Sequence, residues 1–328
     1  MKSKKGLIAV VAVAVIVLVV IFCNLKGSDK NAVSGPVSLS IATGGTSGTY
    51  YAVGGALAKA VSKEGKIQAT AETGNASIAN ANLVDGGEIE IAFVQNDIAA
   101  WGANGELMFK DKPLKNIRAV ASLYPEHIQF IIAKNTGIKT VDDLKGKRVG
   151  TGAPGSGTEG DVHAILDVAG INIKDLKADP LDFAQTSARF KDNQIEAGLV
   201  VAGYPTASIM DLTTAKDVDL LSFDQNFLAK LSKKYPFFIA SKVPAGTYKG
   251  IDHDTNTPAV MAILIANADV AEDTIYNFLD AMYKNLEDIA AVHQKGKEIK
   301  IETAMEGISI PLHPGAEKFF TEKGILKK

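Results

Sequence analysis

The chain has 328 residues, with 35 Lys and Arg against 37 Asp and Glu and a formal net charge of -2. At roughly 150 residues per domain, that length points to two domains with a sizeable core, and the balanced charge excludes the basic footprint of a nucleic-acid binder. Only three bases are arginines, Arg118, Arg148 and Arg189, so an anionic partner must be held mainly by lysine, hydroxyls or backbone amides, not by a cluster of guanidinium forks.

Lys2, Lys4 and Lys5 precede an unbroken apolar run from Leu7 to Cys23. About 17 residues at ~1.5 Å rise make ~26 Å of helix, between a signal-peptide core and a full membrane span. Lysines on its N-terminal side keep that end in the cytoplasm and send the rest of the chain outward. Residues 1–23 are therefore expected to be a membrane anchor or signal segment. No convincing small-x-small cleavage site follows, and Phe22 is too large to precede the acylated Cys23 of a lipoprotein, so an uncleaved anchor leads a lipid anchor and a cleaved signal. The expected location is the extracytoplasmic face of the cell membrane, or the periplasm if the segment is cleaved in a two-membrane cell. Cys23 is the single cysteine, which excludes an internal disulfide.

Residues 24–35 are polar and rich in Lys, Ser, Gly and Asp, the composition of a flexible linker. Folding is expected from Val37. Val37 to Ala42 alternates like a strand, Tyr51 to Ser62 spaces Val53, Leu57, Ala60 and Val61 as one face of a helix, and Ile89 to Val94 reads as a strand again. Such alternation predicts βαβ units around largely parallel sheets, with ligands at the carboxyl ends of strands. An internal echo accompanies it. Ser47-Gly48-Thr49 follows the first strand and precedes a helix, and Ser156-Gly157-Thr158 follows strand Arg148 to Thr151 and precedes the helix around Val162 to Ala169. Strands near Glu90 to Val94 and Ile195 to Val200 continue the match, as do Ile117 to Leu123 and Val218 to Phe223. Two copies of one half-unit imply two similar lobes across a cleft, unless both are generic strand-to-helix turns. The expected division is 36–123 with 237–328 as lobe I and 124–236 as lobe II, joined by at least two crossover strands.

The loop Gly44 to Thr49 lets backbone amides approach a ligand closely, and the following helix directs unpaired N–H groups and its positive dipole end at the same point. Gly152 to Thr158 repeats this from the other lobe, so both read as anion or carboxylate cradles. Neither carries the Gly-Lys-Ser/Thr ending of a P-loop or a Gly-x-Gly-x-x-Gly fingerprint. Thr73, Asn75, Ser77 and Asn80 serve either as caps and turns or as cleft walls. Catalysis finds little support. His127, His163, His253, His293 and His313 show no metal-ligand spacing, and no Gly-x-Ser-x-Gly elbow occurs. No enzyme activity, metal or cofactor is expected, and His313 reads as a packing or hydrogen-bonding residue.

Taken in order and spacing, several segments resemble the TAXI-type solute receptors of TRAP transporters, the tripartite ATP-independent periplasmic systems. They are Thr46 to Tyr51, Thr73 with Ser77-x-x-Asn80, Gln95-x-Asp97, Leu123-Tyr124-Pro125-Glu126, Asp143 to Val149, Gly152 to Thr158, Gly203-Tyr204-Pro205 and Pro311 to Ala316. The resemblance covers about Leu39 to Gly324. It implies an α/β, type II periplasmic-binding-protein fold, two α/β lobes joined by crossover hinge strands. It also implies a small carboxylate ligand, such as glutamate, glutamine or a related oxo- or dicarboxylic acid, delivered to integral-membrane TRAP subunits. Carried over by position, Thr46, Ser47, Gly48, Thr49, Tyr50, Thr73, Asn80 and Gln95 line the cleft from one lobe, and Ser156, Gly157, Thr158 and Tyr204 from the other. Ala52 departs from a common proline, and Asn75 and Ala76 stand where glycines are frequent, which narrows that wall. The competing readings are the receptor of an ATP-driven ABC importer and an exported enzyme acting on a small polar metabolite, which turnover of a bound ligand would reveal. A signalling sensor is disfavoured because no second span or cytoplasmic module precedes Lys328.

Overall fold

The structure, a computed structural model, describes residues 35–327, so the expected anchor and nearly all of the expected linker lie outside the described residues. No described helix is long and apolar enough to cross a membrane. From Pro36 onward the chain is one compact unit.

The first half follows its hydrophobic periodicity. Val37–Ala42 forms β1, burying Leu39, Ile41 and Ala42, and Thr49–Ser62 forms α1, burying Val53, Leu57, Ala60 and Val61 at the helical spacing of the sequence. β2 (Ile67–Glu72) and β3 (Ile91–Gln95) both pair parallel with β1, and α2 (Ser77–Asp85) and α3 (Asn96–Asn104) complete the βα units. β4 (Ile117–Ala133) then leads to the second half. There β5 (Arg148–Gly150) lies between β6 (Lys177–Asp179) and β7 (Ala197–Ala202), again all parallel. Helices α4 (Gly157–Ala169), α5 (Phe183–Lys191) and α6 (Ala207–Ala215) alternate with these strands. The triplets β2-β1-β3 and β6-β5-β7 have the same order, so the internal echo reappears as topology.

The remaining elements close the chain: β8 (Val218–Leu220), α7 (Gln225–Lys234), β9 (Ile239–Val243), β10 (Thr255–Asn267), α8 (Glu272–Lys284), α9 (Leu286–Ala290) and α10 (Pro314–Glu322). β4 and β10 belong to both halves. β10 pairs antiparallel with β3 through Ala262 to Ala266 and with β9 through Thr255 to Ala259. β4 pairs with β10 from Ile117 to His127 and with β7 from His127 to Ile132. The ladder therefore connects ten strands through these two crossovers, while the parallel triplets never pair with each other. The expected strand Ile117 to Leu123 runs on to Ala133 through Pro125, which faces Met261 beside a register shift at Ala262 and Ile263. Proline offers no N–H to a ladder, and an irregular step is where a sheet tolerates it.

A shared hydrophobic cluster joins the lobes: Ile98 and Trp101 of α3 pack with Val162 and Ile165 of α4. Another cluster unites Ile131, Val200, Ile209 and Leu220 with Val243, Tyr248 and Ile251. We propose that the first lobe comprises residues 36–123 and the chain from within β10 onward, because 243–251 pack with the second lobe and do not rejoin the first at Phe237.

Candidate functional site

The carboxyl ends of β1, β3 and β7 and the starts of α1, α4 and α5 surround a cavity of about 410 Å³, a volume that suits a small metabolite. Of the residues expected to line a cleft, Thr46, Ser47, Gly48, Thr49, Tyr50, Thr73, Gln95, Ser156, Gly157 and Thr158 do so. Asn75, Ala76 and Ser77 join them, as do Glu126, Asp182 and Phe183. No lysine, arginine or histidine is among the lining residues.

The two helix starts differ. At α1 the N-cap is Gly48, which supplies no side-chain acceptor, so the amides of that first turn remain without a side-chain cap. At α4 the N-cap Ser156 accepts from the Glu159 amide at 3.2 Å, and the Glu159 carboxylate accepts from the Gly155 amide at 2.8 Å. The second cradle is therefore partly self-capped, with one acceptor site of the Ser156 hydroxyl already taken. Thr49 is committed too, since its hydroxyl donates to the Gly203 carbonyl of the other lobe at 2.7 Å.

Gly157 is the point of closest approach. A Cβ at that position would overlap the side-chain amide of Gln95 and stand 2.9 Å from the Ser77 hydroxyl. Nearby, the Ala79 amide donates to the Gly155 carbonyl at 2.9 Å, and the Gln95 side-chain amide donates to Asp161 at 2.8 Å. The lobes are closed on the cavity.

Asn80 and Tyr204 do not line it, contrary to expectation. The fully buried Asn80 side chain donates to the carbonyls of Thr43 and Phe93, both at 2.8 Å, and so braces the ends of two strands. The Tyr204 ring is held edge-on by His127 at 4.6 Å between centroids, with the Lys295 ammonium 4.2 Å above it. His313 caps α10, accepting from the Gly315 amide, in keeping with a hydrogen-bonding role.

Glu126 was missed as a site residue, although it ends the Leu123 to Glu126 motif. It lies on β4, 2% exposed, and accepts from the Tyr50 hydroxyl at 2.6 Å. Burial pushes its carboxyl up to about 8, against a smaller lowering by the Tyr50 hydrogen bond. At neutral pH burial thus favours its uncharged, protonated form. Ala76 carries a second unforeseen feature. Its φ of 65° and ψ of -150° lie in a region that glycine alone occupies freely, and it sits on the cavity wall.

Residues 41–324 match the NMT1-like family, and the chain belongs to that family. Among solved structures it is similar to the alkanesulfonate-binding protein SsuA from Xanthomonas axonopodis pv. citri bound to MOPS, at 15% identity over 88% of this chain and 84% of that one, with a TM-score of 0.51. It is also similar to a protein from Bordetella bronchiseptica RB50, at 19% identity over 87% of this chain and 82% of that one, with a TM-score of 0.53. At such identities the likeness is one of fold, and the fold is that of the two-lobed periplasmic binding proteins.

Two outcomes follow for the ligand-free protein. Ala76→Gly should raise the melting temperature by a few degrees, because relief of about 1–3 kcal/mol of backbone strain outweighs the added unfolded-state entropy of glycine; an unchanged or lower value contradicts the strain. Glu126→Gln should gain stability relative to the parent as pH rises from about 5 to about 8. The raised carboxyl contributes fully only below its ordinary value near 4.5, and the contribution falls away as pH climbs from there through its folded value of about 8. Thermal scans at several pH values read this, and a constant difference between variant and parent would contradict it.

Proposed function

We propose that the protein is an extracytoplasmic solute-binding receptor that captures a small carboxylate between its lobes and delivers it to a TRAP-type, ion-coupled membrane transporter. The supporting observation is the closed cavity walled by Thr46 to Tyr50 from one lobe and Ser156 to Thr158 from the other. A ligand that touches both walls stabilises the closed form by its differential affinity, and the closed form is what a membrane partner recognises. With no lysine, arginine or histidine lining the cavity, the open start of α1 is the natural seat for the carboxylate, and a neutral Glu126 offers a proton in place of a repelling charge. Glutamate, glutamine, 2-oxoglutarate and C4 dicarboxylates are the proposed candidates, and residues 1–23 are proposed to tether the receptor to the membrane.

The receptor of an ATP-driven importer is the second reading. SsuA, a sulfonate-binding protein, shares the fold, and a sulfonate is also an anion that helix-start amides accommodate. Calorimetry across the carboxylates and an alkanesulfonate, after removal of copurified ligand, separates the two. The expected result is heat from one carboxylate and a melting rise equivalent to about 2.7 kcal/mol at 100 times its Kd. Thr158→Ala should weaken that ligand by about 0.5–1.5 kcal/mol, or up to ~3 against a charged partner. Gly157→Val should abolish binding while leaving each lobe folded, since its side chain would occupy the space of the Gln95 amide. Response to the sulfonate alone would transfer the assignment to the second reading. Undiminished binding by the Gly157 variant would show that the lobes need not meet there.

A further inference from the structure

Behind the cavity, two carboxyls meet from opposite lobes. Asp97, the second residue of α3, and Asp161, in the first turns of α4, are both fully buried and lie within hydrogen-bonding reach of each other. Asp161 accepts from the Gln95 side chain at 2.8 Å through one oxygen. Its other oxygen has no hydrogen-bond donor, and Asp97 meets only the backbone amides of Asp97 and Ile98 at its own helix start, with no side-chain donor. Two buried carboxylates in contact, with no donor or cation between them, repel. One shared proton satisfies both groups at once, as a carboxyl-to-carboxylate hydrogen bond.

We propose that Asp97 and Asp161 form a proton-operated latch: closing the lobes takes one proton from solvent onto the pair, and its release opens the cleft.

The surroundings reinforce the demand for a proton. Burial raises both carboxyls, and their proximity raises Asp161 further. Glu126 from β4 is the remaining acid acting on the pair, Gln95 from β3 is its neutral neighbour, and among the described residues no lysine, arginine or histidine pairs with either aspartate. The helices α3 and α4 approach each other beside the pair, where a Cβ at Gly160 would come within 2.9 Å of Ile98. When the lobes part, both carboxyls return to water and to the ordinary range near ~4. The closed state therefore binds a proton that the open state does not. Closure is fully favoured at low pH and is lost as pH rises through the raised value of the pair, by at most about tenfold per pH unit.

The Ala79 amide reports closure directly. It lies in the first turn of α2, where no intrahelical carbonyl is available, and its acceptor is Gly155 of the other lobe. Hydrogen exchange with mass spectrometry on the ligand-free, full-length protein, corrected for intrinsic exchange, would follow its protection between about pH 5 and pH 9, with and without added calcium or sodium. The parent should lose protection by about tenfold or more as pH rises. Asp161→Asn supplies a permanent N–H toward Asp97 and should stay protected throughout; Asp97→Asn, the reciprocal variant, should behave alike, and circular dichroism shows which of them are folded. Protection in the parent that ignores pH, or variants that lose it in parallel with the parent, overturns the latch. Protection that follows the metal ion at constant pH also overturns it, marking the pair as a cation site. No solute is added, so the outcome is independent of which ligand the cavity accepts.

Discussion

At Gly157 the second lobe comes so near the first that no side chain fits between them, and the rest of the site depends on that approach. Only hydrogen at this position lets the start of α4 rest on Gln95 and Ser77. Once it does, Ala79 reaches Gly155, Thr49 reaches Gly203 and Gln95 reaches Asp161, and the cavity is shut by contacts that each require both lobes. The crossover strands β4 and β10 make such closure possible, because they carry continuous backbone hydrogen bonding from one lobe to the other.

The electrostatic character of the site follows from what burial does to acids. Glu126 faces the cavity without a lining cation to neutralise it, and burial answers by keeping it protonated. Glu126 then adds no charge to the wall, and the orientation of backbone amides at α1 becomes its principal positive feature. On the proposed reading, an anion would be held by dipoles that are already aligned, with no flexible lysine or arginine to order on binding.

Much of the fold was legible because it rests on periodicity. The apolar spacing of Val53, Leu57, Ala60 and Val61 defined α1, and the echo of Ser47-Gly48-Thr49 in Ser156-Gly157-Thr158 anticipated the matching strand triplets. Burial by distant partners was not legible. The expected strand stopped at Leu123, yet β4 continues through Pro125 because β10 supplies an irregular step opposite. Asn80 and Tyr204 looked like cleft residues by position; carbonyls at two strand ends claim the first, and His127 and Lys295 hold the second. Glu126 escaped notice because local sequence does not show that a strand residue will face a cavity beneath Tyr50. The strain at Ala76 was hinted at only by its place among expected glycines.

The central claim is that one small anion joins the two glycine-rich helix starts. A crystal structure of the protein purified under native conditions, with its copurified ligand identified by native mass spectrometry, tests this most directly. The account predicts a carboxylate in the cavity, hydrogen-bonded to amides of Gly48 to Tyr50 and reached from the other side by Ser156 to Thr158. A closed cavity whose ligand touches only one of the two loops, or a ligand bound elsewhere on the molecule, would contradict it.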